Sequence, residues 1–374
     1  MTLTPSKNEL PRILETRRSG PPTIHDVARH AGVSTSTVSR SFSGESRISL
    51  KTREHIRRIA QELGYRPSRS AQALRSAKTG TIGLLVPTLE NPIAYDHLRA
   101  TIRAAFEVGY TVLVADGQDT AEIQEAELIR LRDFRVDGLI VGRGLLPITK
   151  TLVEVARSGI PIEPPIEADV LNSEIGTQFN PYRLVTSDDA GATIAYRRLA
   201  AIGHRRFAIF TLSRATTRHG RPRAETFVRV LGEAGIPPEN VLTLTIQDPH
   251  NYMTEVQNVL ARPNPPTAFV VSNGRMTPHI LEAIHAAGLR IPDDLSFLCF
   301  GDSQWHRGYA PPLAVVREDY AAVAQQIVER LVARIGGHEA PDLVKRPSEF
   351  VPRASIAPPR ERPRAELRAA QGPI

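Results

Sequence analysis

Cysteine is almost absent from this chain of 374 residues, where Cys299 stands alone. One thiol excludes an internal disulfide and any metal site built from paired cysteines. Aromatic residues make up only 5% of the chain, with a single tryptophan, Trp305. No apolar run approaches the roughly 20 residues that a membrane-spanning helix needs. Residues 1–22 are polar, and Arg17 and Arg18 are followed by Ser-Gly-Pro-Pro rather than by an apolar stretch. They read as a flexible basic leader and not as a secretory signal, so the chain is expected in the cytoplasm. Gly-x-x-x-x-Gly-Lys-[Ser/Thr] and strand-following Gly-x-Gly-x-x-Gly are both missing, which removes the usual nucleotide-cofactor loops. Neither Ser187-Asp188-Asp189 nor Asp293-Asp294 has a His or Cys at ligand spacing, so no metal is expected. His204 has no nucleophile near it in sequence and reads as a packing residue in a turn before a strand. No cofactor and no enzymatic activity are expected.

Acidic residues are also missing between Asp26 and Glu45, and that gap falls on the most informative stretch. Thr23 precedes an apolar pattern as an N-cap, with Asp26 three residues on. Ile24, Val27, Ala28 and Ala31 recur as one face of a helix, and Gly32 follows as its stop. Ser34 caps a second helix whose buried stripe is Val38 and Phe42. Its remaining residues, Thr35, Ser36, Thr37, Ser39 and Arg40, are short hydroxylic donors plus one guanidinium. That face suits a major groove of acceptors flanked by phosphates. A third helix runs from a Ser49 cap through Ile56, Ile59, Ala60 and Leu63 to Gly64 and Pro67, with Lys51, Arg53, Arg57 and Arg58 on its outside. Three short helices around one apolar cluster predict a helix-turn-helix head.

Charge is partitioned along the chain. Residues 1–78 hold 15 Lys/Arg against 6 Asp/Glu, while residues 79–351 carry a net charge of −5. Cations concentrate where phosphates would be met, on a body with another task. Ser68–Ser76 is a weak helix without an apolar face, expected to be disordered in isolation. The body alternates apolar runs (Ile82–Val86, Val112–Ala115, Gly138–Val141, Phe207–Thr211, Ala268–Ser272, Phe297–Phe300) with amphipathic stretches (His97–Glu107, Glu122–Phe134, Lys150–Ser158, Ala190–Ala201, Arg223–Ala234, Tyr252–Arg262, Pro278–Ala287, Tyr320–Ile335). Such alternation predicts parallel sheets covered on both faces, with ligands at the carboxyl ends of the strands. The tail beyond Arg360 is rich in Arg, Pro and Ala and lacks heptad leucines.

Thr23–Phe42, Leu63-Gly64-Tyr65-Arg66-Pro67, Thr79–Pro87, Val136-Asp137-Gly138-Leu139-Ile140, Gly203–Ala208 and Ala286–Pro292 together resemble the LacI/GalR family of bacterial transcriptional regulators, from about Thr23 to Pro359. The resemblance implies an all-α helix-turn-helix DNA-binding head plus an α/β periplasmic-binding-protein-like effector domain of two parallel-sheet subdomains. The expected parts are a leader (1–22), the head (23–67), a hinge (68–78), a ligand-binding and dimerisation body (79–351) and a Pro/Arg-rich tail (352–374). It implies base reading by Thr35, Ser36 and Arg40, with Arg40 as guanine reader. Phosphate contacts fall to His25, Ser34, Thr37, Ser39, Ser43, Ser49, Thr52 and Arg69. The hinge would order on DNA, with Ala71 and Leu74 in the minor groove. The implied partners are a near-palindromic double-stranded operator, a small-molecule effector and a second copy of the chain.

For the effector, the resemblance points to Asn91, Pro92, Arg223, Asn273 and Gly301. This chain departs from the family pattern there: Thr226 replaces a glycine, Gly274 an acid, and Gly301 the first Asp of Phe-Asp-Asp. Losing an acceptor beside a retained Arg223 favours an anionic ligand such as a sugar acid. Glu163, Glu167 and Asp169 are alternatives for the missing acid. Pro164 and Pro165 break the expected strand there or push it to an edge. Trp305 is open to a ligand-stacking or a hinge-packing reading. The direction of regulation is open too, with ligand-driven release from DNA as the default. Two other classes make different demands on the sequence. A solute-binding receptor would need a secretory signal and no basic head. An architectural DNA protein would show shallow sequence preference and no ligand effect.

Overall fold

The computed structural model describes residues 21–43, 48–66, 78–142, 150–164, 186–187, 189–212, 220–246 and 251–360. The chain divides into two compact units, Met1–Thr79 and Gly80–Ile374.

The first unit contains α1 (Ile24–Ala31), α2 (Thr35–Ser43) and α3 (Leu50–Glu62). Its core is Val27, Ala28, Ala31, Val38, Ile56 and Ala60, the residues whose helical spacing marked them in sequence. Phe42 and Tyr65 close one end edge to face, with ring centroids 6.1 Å apart. Gly32 takes φ 64°, the left-handed conformation that lets its amide return to the end of α1. Ser34 Oγ accepts from the Thr37 amide (3.1 Å) and Ser49 Oγ from the Thr52 amide (3.2 Å), so both later helices are capped by side chains.

The second unit is built on two sheets. The first has order β2-β1-β3-β4, all parallel: β1 (Thr81–Val86), β2 (Thr111–Asp116), β3 (Gly138–Val141) and β4 (Ile162–Glu163). Helices α5 (Ala121–Asp133) and α6 (Lys150–Arg157) pack on one face through Leu128, Leu131, Leu152 and Val155. The other face is covered by α4 (Pro92–Glu107) and by α12 (Tyr320–Ile335) from near the far end of the chain. A Cβ on Gly138 would lie 2.8 Å from Leu331, so α12 lies directly on the backbone of β3. Fully buried Glu163 ties the same helix to the sheet edge, accepting from Arg330 Nε (3.1 Å) and Arg334 Nη1 (3.3 Å). Burial raises its carboxyl above the ordinary range and the two guanidiniums oppose that rise. Glu163 is thus committed to a structural network, which removes it from the three alternatives for the missing acid. Glu167, Asp169 and Pro165 lie outside the described residues. β4 is a two-residue edge strand, as the prolines after it require.

The second sheet has order β12-β10-β9-β8-β6-β7. It joins β6 (Phe207–Leu212), β7 (Val241–Ile246), β8 (Ala268–Val271), β9 (Ser296–Phe300) and β10 (Ala314–Arg317) in parallel, with β12 (Glu349–Val351) antiparallel at the edge. Helices α7 (Asp189–Ala201) and α8 (Gly220–Glu233) cover one face, and α9 (Tyr252–Leu260) and α10 (Thr277–Ala286) the other. A short α11 (Gln304–Gly308) follows β9. Near the crossovers β5 (Thr186–Ser187) pairs with β11 (Arg346–Pro347). The chain passes between subdomains from β4 to α7, from β10 to α12, and from α12 to β12.

Sequence reading missed β7, β10, β12 and the start of α4. The β7 run alternates Leu and Thr on a half-buried edge instead of forming an apolar block. β10 is only four residues long and follows two prolines. Pro92 opens α4 at its first turn, where no amide partner is lost, five residues ahead of the expected start.

His204 has the packing role expected of it. It is buried, with Nε2 2.9 Å from the Ala357 carbonyl and Nδ1 2.8 Å from the Thr267 hydroxyl. The carbonyl can only accept, so Nε2 carries a proton. Burial lowers its pKa to about 4, and burial lowers that of His306 to about 4 as well. Unfolding lets both rings protonate below their ordinary pKa of 6.5. The stability they confer is therefore complete above that value and is lost as pH falls from 6.5 to about 4. Each ring contributes a slope of up to about 1.4 kcal/mol per pH unit in that window. Urea denaturation across the window should show a shallower loss of stability in His204→Asn than in the parent chain.

Candidate nucleic-acid interface and ligand cleft

In α1 the Asp26 carboxylate accepts from the Thr23 amide (2.9 Å) and hydroxyl (2.7 Å). Those donors, the amide foremost, hold its pKa below the ordinary carboxylate range. Asp26 also pairs with Arg29, so its carboxylate is spent on the helix start. α2 then presents Ser36 and Arg40, one turn apart and exposed, with Thr35 and Ser39 half-buried beside them. The Ser34 hydroxyl lies 2.7 Å from that of Ser36 and 2.8 Å from that of Thr37. His25 is exposed at the start of α1, and the Ser49 and Thr52 hydroxyls are 2.8 Å apart at the start of α3. Ser43 ends α2. The expected base-reading residues thus lie on one helix; of the expected phosphate set, His25, Ser34, Thr37, Ser49 and Thr52 lie at or beside helix starts, while Ser39 is midway along α2 and Ser43 is its last residue. Arg53 is half-buried, unlike exposed Lys51, Arg57 and Arg58. Arg69, Ala71 and Leu74 lie outside the described residues.

In the second unit the expected ligand residues sit at the carboxyl ends of strands, on both sheets. Asn91 and Pro92 join β1 to α4 in the first subdomain, while Asn273 follows β8 and Gly301 follows β9 in the second. Arg223 of α8 reaches the strand ends: Nη1 donates to the Ser272 carbonyl (2.7 Å), and the guanidinium carbon lies 4.3 Å from the Phe300 ring centre. Arg223, Asn273 and Gly301 are therefore neighbours through Ser272 and Phe300.

The structure corrects one expectation. Arg223 is not an uncompensated cation, because its Nη2 lies 3.3 Å from Glu318 Oε1 and both side chains are over nine-tenths buried. Glu318 restores the acceptor missing at position 301. Gly301 itself takes φ 92°, a backbone geometry that a Cβ makes costly. Sequence reasoning missed Glu318 because β10, which positions it, had not been recognised. Beside this pair, Ser272 Oγ and Thr211 Oγ1 are buried without a hydrogen-bond partner among the described residues. A cavity of about 640 Å3 lies between α4 and the second subdomain. Arg99, Arg103, Arg307, Arg317 and Arg346 line it together with Asp96, Asp302, Glu318, Asp319 and Glu349, so its wall is balanced in charge. Asp302 is taken up by Arg353 at 2.7 Å and Arg317 at 3.6 Å. Trp305 packs on the core of the second subdomain and stacks on His306, which favours its packing reading.

Among the described residues, a set of ion pairs crosses the cleft. Arg275, between β8 and α10, reaches Glu90 of the first subdomain at 2.7 Å and also pairs with Asp119 there.

Comparison with known proteins places these features. Residues 23–68 match the model of bacterial regulatory proteins of the lacI family, and residues 196–356 match a periplasmic binding protein-like domain. A transcriptional repressor PurR of Erwinia tasmaniensis is 30% identical over 318 residues, covering 84% of this chain and 90% of its own. The lactose operon repressor of Escherichia coli is 28% identical over 351 residues, covering 91% and 94% respectively. The transcriptional regulator DegA of Bacillus subtilis is 28% identical over 341 residues, covering 90% and 98%. Among solved structures, the lac repressor dimer bound to operator and the anti-inducer ONPF aligns with a TM-score of 0.73 at 25% identity, covering 90% of this chain and all of that one. Head, two-sheet body and the relatives that span both agree: the chain belongs to the LacI family of bacterial transcriptional regulators.

Proposed function

We propose that this chain is a repressor that reads a near-palindromic operator as a homodimer and is controlled by a polar, hydroxyl-bearing small molecule in the cleft of its body. α2 enters the major groove, with Thr35, Ser36 and Arg40 on base edges and the helix starts on phosphates. Two-fold pairing of chains matches the two half-sites. Support for pairing comes from α4, whose Tyr95, Ile102 and Phe106 are large, exposed and at helical spacing, an apolar stripe that a second copy would cover. Among the described residues no helix is long and apolar enough to cross a membrane. The working place proposed is the bacterial cytoplasm, on DNA.

The observation that carries the ligand class is the Arg223–Glu318 pair. A matched guanidinium and carboxylate offer donors and acceptors together, as vicinal hydroxyls require, and supply no net charge to attract an anion. A sugar therefore fits better than a sugar acid. Ligand and operator are linked through the same protein, so each changes the affinity of the other by the same factor.

Duplexes selected from a random library by the parent chain test the head. Arg40→Ala should weaken binding to the selected sequence by about 1–3 kcal/mol, concentrated at one base pair, and leave random duplexes nearly unaffected. Equal losses on both would show that Arg40 only meets phosphate. A thermal-shift panel tests the cleft. The parent chain should respond to neutral sugars, and Glu318→Gln, which leaves Arg223 uncompensated, should move the response toward sugar acids. A parent chain stabilised by acids alone would defeat the assignment.

A further inference from the structure

We propose that Arg275 is a latch across the ligand cleft, drawing the second subdomain onto Glu90 and Asp119 of the first and holding the cleft closed. The contact itself stands without the functional reading; its effect on DNA binding rests on that reading.

The catch is built before the latch arrives. Glu90 and Asp119 lie in the loops after β1 and β2, and these loops are knitted to each other. The Gly117 amide donates to the Val86 carbonyl (2.8 Å), the Asp119 amide to the Pro87 carbonyl (2.7 Å), and the Leu89 amide to Asp116 Oδ1 (3.2 Å). The two carboxylates are thereby presented as one unit. Arg275 answers with two arms of its guanidinium, Nη1 to Asp119 and Nη2 to Glu90. A forked cation on two carboxylates is directional as well as attractive.

Burial makes the contact decisive for closure. The Asp119 side chain is 14% exposed and the Glu90 side chain 72%. Asp119 has thus left most of its water, which raises its carboxyl pKa, and Arg275 is the first influence opposing that rise. A closed cleft without the Arg275 charge would strand a desolvated carboxylate, so closure and the ion pair depend on each other. The exposed Glu90 pair adds orientation more than energy.

The latch is wired to the ligand residues. The Arg275 amide donates to Asn273 Oδ1 at 3.0 Å, so Asn273 and Arg275 share one turn. A ligand that draws Asn273 Oδ1 away from the Arg275 amide disturbs the backbone from which Arg275 reaches across. Ligand occupancy thereby becomes a change in the contact that sets the cleft angle, a differential interaction of the kind any population shift requires.

Spin labels at Ala126→Cys on α5 and Glu282→Cys on α10, both exposed positions on opposite subdomains, report the cleft in the full chain while buried Cys299 stays unlabelled. Without ligand, Arg275→Gln should lengthen the interlabel distance and raise the open population by about fivefold or more, the lower end of ordinary allosteric coupling. Asp119→Asn should open the cleft without touching α10. Combining the two should restore part of the closure, because no desolvated charge is left behind. Identical distances in the parent chain and Arg275→Gln overturn the latch. So does a double variant as open as Arg275→Gln alone, since the effect would then be lost packing and not charge. Operator binding measured in parallel separates the two readings: a parent chain that binds no selected duplex overturns the regulatory function and leaves the distance result to decide the latch.

Discussion

A parallel sheet has to be covered on both faces, and in the first subdomain half of that cover belongs to the far end of the chain. Val323, Ile327, Val328 and Leu331 of α12 pack with α4 against Ile82, Leu84 and Ile140. Glu163 then anchors α12 to the sheet edge through Arg330 and Arg334. This is one of the more demanding contacts in the molecule, because removing either side would leave a buried charge without its partner. The first sheet is therefore covered by a helix that follows β10 of the second sheet in the chain. The two subdomains are consequently one folding problem joined by several crossing strands, and the cleft between them is a consequence of that topology.

The crossing strands also set where the charged residues of the cleft stand. Glu318 and Tyr320 stand where β10 gives way to α12, at a crossing point, and Glu318 is the partner of Arg223. The pair therefore stands where the chain passes from one subdomain to the other. Arg275, Glu90 and Asp119 meet at the other set of loops, at the carboxyl ends of β1, β2 and β8. One ion pair lies within a subdomain and shapes the site; the other lies between subdomains and depends on their approach. Charge is divided along the chain: the basic excess lies in the head, and the body from 79 to 351 carries a net charge of −5.

Sequence reading went furthest where a function depends on residues close together in the chain. Capping residues, the Gly32 stop and the spacing of Val27, Ala31 and Val38 are local, because a helix places neighbours by its own period and the head is little more than three such helices. The main helices of the body were legible for the same reason, and its buried strands as apolar blocks. Edge strand β7 was not, since half its residues face water and the pattern carries no apolar run. Reading Arg223 as a lone cation followed from inspecting position 301 and seeing no acid. The compensating acid lies 95 residues away from Arg223, on an element too short to announce itself.

What the sequence determined by itself was the set of parts: a basic three-helix head and a two-sheet body. Short-range periodicity and capping are sufficient for that, because they act over a single turn or strand. Tertiary structure alone decided which charges neutralise which. The pairs Arg223–Glu318, Glu163–Arg330 and Arg275–Asp119 join residues 95, 167 and 156 positions apart. No local period constrains such distances; they are fixed only when both sheets are covered and the strand ends brought together.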